Sequence, residues 1–161
     1  MRVITIFYSY SGITRGIAEK IQEACGGDLV EVKAVTPYST ITAYSLGCYR
    51  AMKGECDEIE PASIDVSASD SIVIGTPVWA FRATPAINGA VEALTGCEGK
   101  TAVLFATCGG MAKDTLPFLA EALAAKDVRI AGEYVFDKND VGDSDTIDAL
   151  IAAVKFAGGS D

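Results

Sequence analysis

Short apolar runs alternate with segments of helical spacing along the chain, and that alternation leaves few folds open. The runs are Val3–Tyr8, Leu29–Val32, Ser71–Gly75, Thr101–Thr107 and Arg129–Val135. Between and after them, Ile13–Cys25, Thr42–Gly54, Pro85–Leu94, Asp114–Ala125 and Ser144–Phe156 place apolar residues three and four apart, the period that turns one helix face toward a core. Such alternation predicts a parallel sheet with helices on both faces. Several runs are unbroken Val, Ile and Phe, as expected of strands covered on both sides. Glu55 to Asp70, acidic and carrying Ser and Pro, reads as an irregular surface crossover. These elements fill the 161 residues, which predicts one α/β domain over residues 1–161.

Open sheets of this kind bind ligands beyond the carboxyl ends of their strands, where the strand order reverses. Three strand ends stand out. After the first run comes Ser9-Tyr10-Ser11-Gly12-Ile13-Thr14, a hydroxyl-rich turn opening into a helix. Amides at a helix start lack intrahelical partners, and the helix dipole adds positive potential, so this turn suits a phosphate. Ser9, Ser11 and Thr14 add hydroxyl donors and Gly12 permits close backbone approach. The simpler alternative is that Ser11 only caps the helix.

After the third run, Gly75-Thr76-Pro77-Val78-Trp79-Ala80-Phe81-Arg82-Ala83-Thr84-Pro85 reads as a loop, with Thr84 capping a helix that starts at Pro85. It holds the only tryptophan. Trp79 either stacks on a planar ring system or anchors the loop on the domain, and stacking is the favoured reading. For Phe81, anchoring in the core is favoured. After the fourth run, Thr107-Cys108-Gly109-Gly110 sets two glycines at a strand end, where amides can face a ligand or simply turn the chain. Cys108 reads as a small buried filler in preference to a reactive thiol.

Rival chemistries are excluded by the same residues. Neither G-x-x-x-x-G-K-[ST] nor G-x-G-x-x-G occurs. Ser9 and Thr76 stand where a phosphoacceptor domain would cluster aspartates, and the first loop has Arg15 but no cysteine for a phosphatase of similar topology. The chain has no histidine, which removes Ser-His and Cys-His catalysis. Five cysteines without a C-x-x-C argue against a disulfide framework and a zinc site. A net charge of −9 argues against nucleic acid and suits docking to basic patches on partner proteins. No run is long enough to span a bilayer and the N-terminus does not read as a signal peptide, so a cytoplasmic protein is expected.

The three loops together resemble the flavodoxin family. Ser9-Tyr10-Ser11-Gly12-Ile13-Thr14 is similar to its [ST]-x-[ST]-G-x-[ST] phosphate loop. Gly75-Thr76-Pro77-Val78-Trp79-Ala80-Phe81 resembles its second, aromatic-bearing loop, and Thr107-Cys108-Gly109-Gly110 its third, which lies along the flavin ring. The resemblance implies a three-layer flavodoxin-like fold, with a five-stranded parallel sheet of order 2-1-3-4-5 and helices on both faces. It implies bound FMN and low-potential electron transfer between redox partner proteins, with an NAD(P)H-dependent FMN quinone or flavin reductase and a flavin-free interaction domain as alternatives. Ile13 departs from the usual Asn or Thr, Arg15 adds a positive charge, and the third loop lacks acidic and aromatic residues. The segment Tyr38 to Glu55, with Tyr44, Tyr49 and Arg50, reads equally as a wall near the flavin and as core packing of its tyrosines.

Overall fold

A computed structural model of the chain describes residues 2–137, 142 and 144–159. Five strands form its main sheet: β1 (Val3–Phe7), β2 (Asp28–Glu31), β3 (Ser71–Trp79), β4 (Thr101–Thr107) and β5 (Arg129–Phe136). Every pairing between them is parallel and the spatial order is β5-β4-β3-β1-β2. The expected order 2-1-3-4-5 is thus observed. The helices α1 (Ile13–Cys25), α2 (Pro85–Glu92), α3 (Thr115–Ala124) and α4 (Ser144–Gly159) follow four of the strands.

Strand geometry divides the core in two. Successive side chains point to opposite faces, so Ile4 and Ile6 of β1, Ile72 and Ile74 of β3, and Leu104 of β4 meet Ile87 of α2 and Leu119 and Leu123 of α3. Val3, Phe7, Val73, Val103 and Phe105 face the other way, onto Ile17 and Ile21 of α1 and Leu150 and Val154 of α4. Each side chain of this size, fully buried, contributes about 1.5–3 kcal/mol. The helix ends are fastened by polar contacts. Thr84 caps α2 by accepting from the Ile87 amide at 3.3 Å. At the other end of α2, the Lys126 ammonium donates to the carbonyls of Val91, Glu92 and Leu94, fastening the last turn and the residues just beyond it.

Three stretches differ from the expectation. The third strand does not stop at Gly75; it continues to Trp79 and folds back in a hairpin, pairing Val78 with Ala83 and Trp79 with Arg82. The helix expected over Thr42–Gly54 is broken into α-helical Thr40–Thr42, π-helical Ala43–Gly47 and α-helical Cys48–Met52. The crossover after Glu55 is partly ordered by short ladders, Ile59–Glu60 against Lys33–Ala34 and Ile64–Asp65 against Leu94–Thr95. Two-residue strands offer too little pattern to be read from sequence.

Candidate functional site

The carboxyl ends of β1, β3 and β4 open onto a cavity of about 400 Å³. The first loop lines it with Tyr10, Ser11 and Ile13, the hairpin with Pro77, Val78, Trp79 and Ala80, and the third loop with Thr107, Cys108 and Gly109. The predicted loops therefore converge on one space.

In the first loop the turn is built by Ser9. Its Oγ accepts from the amides of Gly12 at 3.0 Å and Arg15 at 3.3 Å. Gly12, at φ 96°, is the residue that precedes α1, and Ser11 does not cap the helix. That φ lies in the left-handed region, which glycine enters without steric cost. The amides of Ile13 and Thr14 have no hydrogen-bond partner among the described residues, so the start of α1 offers two open donors beside the cavity. Thr14 itself is 2% exposed, and its hydroxyl bonds that of Thr107 at 2.8 Å, tying the first loop to the third. The guanidinium of Arg15 pairs with Glu31 at the end of β2.

The hairpin carries two residues at positive φ, Ala80 at 52° and Phe81 at 63°, the backbone of a two-residue turn that matches strand twist. Thr76 lies outside the cavity lining: its hydroxyl donates to the Pro77 carbonyl and accepts from the Thr84 amide, clamping the hairpin base. Phe81, expected in the core, is exposed at the tip with the Lys113 ammonium 4.4 Å from its ring centroid. A two-residue turn points its second side chain away from the sheet, which no loop-level reading could supply. Cys108 is half-buried on the cavity wall, its thiol 3.5 Å from the Gly110 carbonyl; Gly110 lies outside the lining.

The remaining wall comes from Ala43, Tyr44 and Cys48. Ala43 and Cys48 are five positions apart, and the Cys48 amide bonds the Ala43 carbonyl across the π turn. A search at spacings of three and four cannot pair them; the length and aromatic content of the segment was the only signal. Tyr44 and Tyr49 are exposed, so neither is core. Burial pushes the Cys48 thiol up from its ordinary value.

Trp79 is the largest buried side chain of the wall, 9% exposed. Tyr38, Tyr10 and Tyr8 meet it edge-on at 5.3, 5.7 and 5.9 Å between centroids. A Cβ on Gly47 would lie 2.7 Å from the indole, so that position admits no side chain while Trp79 stays put. Burial and the neighbouring Asp57 push the Tyr8 phenol up to about 12. Tyr38 is likewise raised to about 12, first by burial and then by its hydrogen bond to Asp57. Among the described residues no cluster of acids, cysteines or histidines could hold a metal ion, and no helix is long and apolar enough to cross a membrane.

Comparisons with known proteins agree with this geometry. The family model described as Flavodoxin matches residues 2–123. A protein of known structure from Bacteroides eggerthii, assigned as a flavoprotein, is 23% identical with a TM-score of 0.78, the match covering 96% of this chain and 98% of that one. A flavoprotein from Lactobacillus acidophilus, solved in complex with FMN, is 23% identical over 87% of this chain and 95% of its own, with a TM-score of 0.66. An NADH:FMN oxidoreductase is 16% identical over 98% and 89% of the two chains, with a TM-score of 0.64. A sequence comparison with curated proteins found no match. With three loops meeting at the carboxyl ends of a 2-1-3-4-5 sheet and the family model spanning most of its length, the chain belongs to the flavodoxin family.

Proposed function

We propose that the protein binds FMN in the cavity and serves as an electron carrier between redox partner proteins. The observation behind this reading is the junction of a largely apolar cavity with the open amides of Ile13 and Thr14 at the start of α1. A phosphate suits those donors, and a flat ring suits a wall of Pro77, Val78, Trp79 and Tyr44. The residues present therefore fit the cofactor. FMN, when bound, supplies low-potential electron transfer. The chain's part is to hold and shield it. The first-loop amides and the hydroxyl of Ser11 bind the phosphate, with Ser9 fixing the turn and Thr14 fixing its distance from the third loop. Trp79, Tyr10 and the hairpin exclude water from one side, and Ala43, Tyr44 and Cys48 of the π-helical segment form the other.

Net charge of −9 disfavours further negative charge in the cavity and draws partner proteins with basic patches. Around the mouth, Tyr10, Ile13 and Tyr44 are exposed and supply apolar contact area. Cytoplasmic residence is part of the proposal, consistent with cysteines that form no disulfide among the described residues.

One observation favours the second reading, an NAD(P)H-dependent FMN reductase. Lys113 and Arg82 stand over the rings of Phe81 and Phe118 beside the hairpin, and neither is ion-paired among the described residues. Cations held on aromatic faces suit a dinucleotide phosphate. Visible spectra with added FMN, followed by NADH or NADPH and a quinone, decide the matter. Uptake of FMN without turnover supports the carrier. Rapid steady NAD(P)H oxidation replaces it with the reductase, and a protein that takes up no FMN ends both readings.

A further inference from the structure

Trp79 lines the cavity and is also the centre of the tyrosine cluster, so anything that removes an electron from the cavity wall has this indole in reach. Indole and phenol are among the most readily oxidised side chains, and rings in edge contact exchange electrons quickly. A phenol gives up an electron easily only if its proton can leave with it. Of the three phenols around Trp79, Tyr38 is the one with a base: its hydroxyl donates to Asp57 Oδ1 at 2.8 Å. Arg50 donates to both groups, to the Tyr38 oxygen at 2.7 Å and to Asp57 Oδ1, which fixes the pair. No hydrogen bond takes up the Tyr8 or Tyr10 hydroxyl among the described residues.

Asp57 is itself unusual. Its side chain is 6% exposed, and its second oxygen, Oδ2, is buried without a hydrogen-bond partner. A buried carboxylate oxygen left unsatisfied is costly. Tyr38, Arg50 and Asp57 also line a second cavity of about 410 Å³, together with Thr36, Thr42 and Cys56. Tyr38 thus touches Trp79 of the first cavity and borders the second.

We propose that Trp79 and Tyr38 form a one-electron outlet from the first cavity, with Asp57 accepting the proton and the second cavity admitting a small reductant. A strong one-electron oxidant of the oxygen-radical class takes an electron from Trp79 and is reduced by one. Tyr38 returns an electron to the indole radical cation before the N–H proton of Trp79 leaves, and the phenolic proton passes to the Asp57 carboxylate. The products are intact Trp79, a phenoxyl radical at Tyr38 and a neutral Asp57. A thiolate entering the second cavity then gives one electron to Tyr38, Asp57 returns the proton, and a thiyl radical leaves. The route protects the cavity wall from oxidation and does not depend on what occupies that cavity.

Pulse radiolysis with azide radical on the protein without added cofactor tests it, since Trp79 is the sole tryptophan. The indole radical signal is expected to decay as a phenoxyl signal rises, at one rate independent of protein concentration and slower in deuterated water. Tyr38→Phe, which removes only a hydroxyl, abolishes that rise, whereas Tyr8→Phe and Tyr10→Phe keep it. Asp57→Asn slows it and removes the solvent isotope effect. Near-UV circular dichroism confirms that each variant retains its aromatic packing, and the isotope effect on the unmodified protein tests the proton step if Asp57→Asn fails to fold. An unchanged phenoxyl rise in Tyr38→Phe, or no isotope effect in the unmodified protein, overturns the proposal.

Discussion

The hydroxyls of Thr14 and Thr107 lie 2.8 Å apart, joining the first turn of α1 to the last residue of β4. Both side chains are buried, so each hydroxyl depends chiefly on the other. Thr14→Val is expected to cost about 1–3 kcal/mol because it strands the Thr107 hydroxyl. Thr14→Val with Thr107→Val recovers part of that loss. Urea denaturation of the two single variants and the double variant measures the coupling.

Loss of the first-loop hydroxyls weakens cofactor binding more than loss of the nearby thiol. Ser11→Ala with Thr14→Ala is expected to reduce FMN affinity further than Cys108→Ala, read by quenching of FMN fluorescence during titration. The reverse order would move the phosphate away from the start of α1.

The hairpin turn stores backbone strain. Ala80 sits at φ 52°, where an L-residue costs about 1–2 kcal/mol relative to glycine. Ala80→Gly is expected to raise thermal stability by about 1 kcal/mol, offset in part by the greater freedom of the unfolded chain. Phe81→Gly gains less, because it also removes the Lys113 contact. Thermal melts of the two variants rank them.

Alkaline pH destabilises the fold through two phenols. Tyr8 and Tyr38 titrate near 12 in the folded chain against 10.0 for an unperturbed tyrosine. The folded state holds these protons more tightly, so their contribution is complete below pH 10.0 and is lost as pH rises toward 12. Urea midpoints measured across that window fall, and the fall is shallower in Tyr8→Phe and in Tyr38→Phe.

Gly47→Ala forces the indole to move. The added methyl would meet Trp79 at 2.7 Å and Tyr38 at 3.3 Å, an overpacking that costs about 1–3 kcal/mol. With a single tryptophan in the chain, the shift is visible directly in near-UV circular dichroism and in emission wavelength.

A parallel sheet covered on both faces was legible because β1, β3 and β4 carry apolar residues on both faces, whereas the strand order was implied only by the resemblance of the three loops to the flavodoxin family. The three loops were legible as strand ends, since hydroxyls and glycines there have few other uses. What escaped was detail set by contacts distant in sequence. Thr14 and Thr107 look like two ordinary hydroxyls until the fold brings them together. The hairpin at Ala80–Phe81 lacks the Asn-Gly or Gly-Gly signature of such turns, so Thr76 to Arg82 read as a loop. Asp57 looked like one acid among many in a surface crossover, and only the folded chain buries its carboxylate against Arg50 and Tyr38.

The π turn at Ala43–Gly47 gives one wall of the cavity a property the others lack. It holds one more residue per turn than an α-helix of the same path, so deleting a single codon there returns the segment to regular winding and rotates Tyr44 and Cys48 out of their present places. The sheet, α1 and the three loops have no comparable slack, because a lost residue in any of them breaks strand register or a turn. Length variation within residues 43–47 is therefore the cheapest evolutionary route by which this cavity could be resized for a different guest.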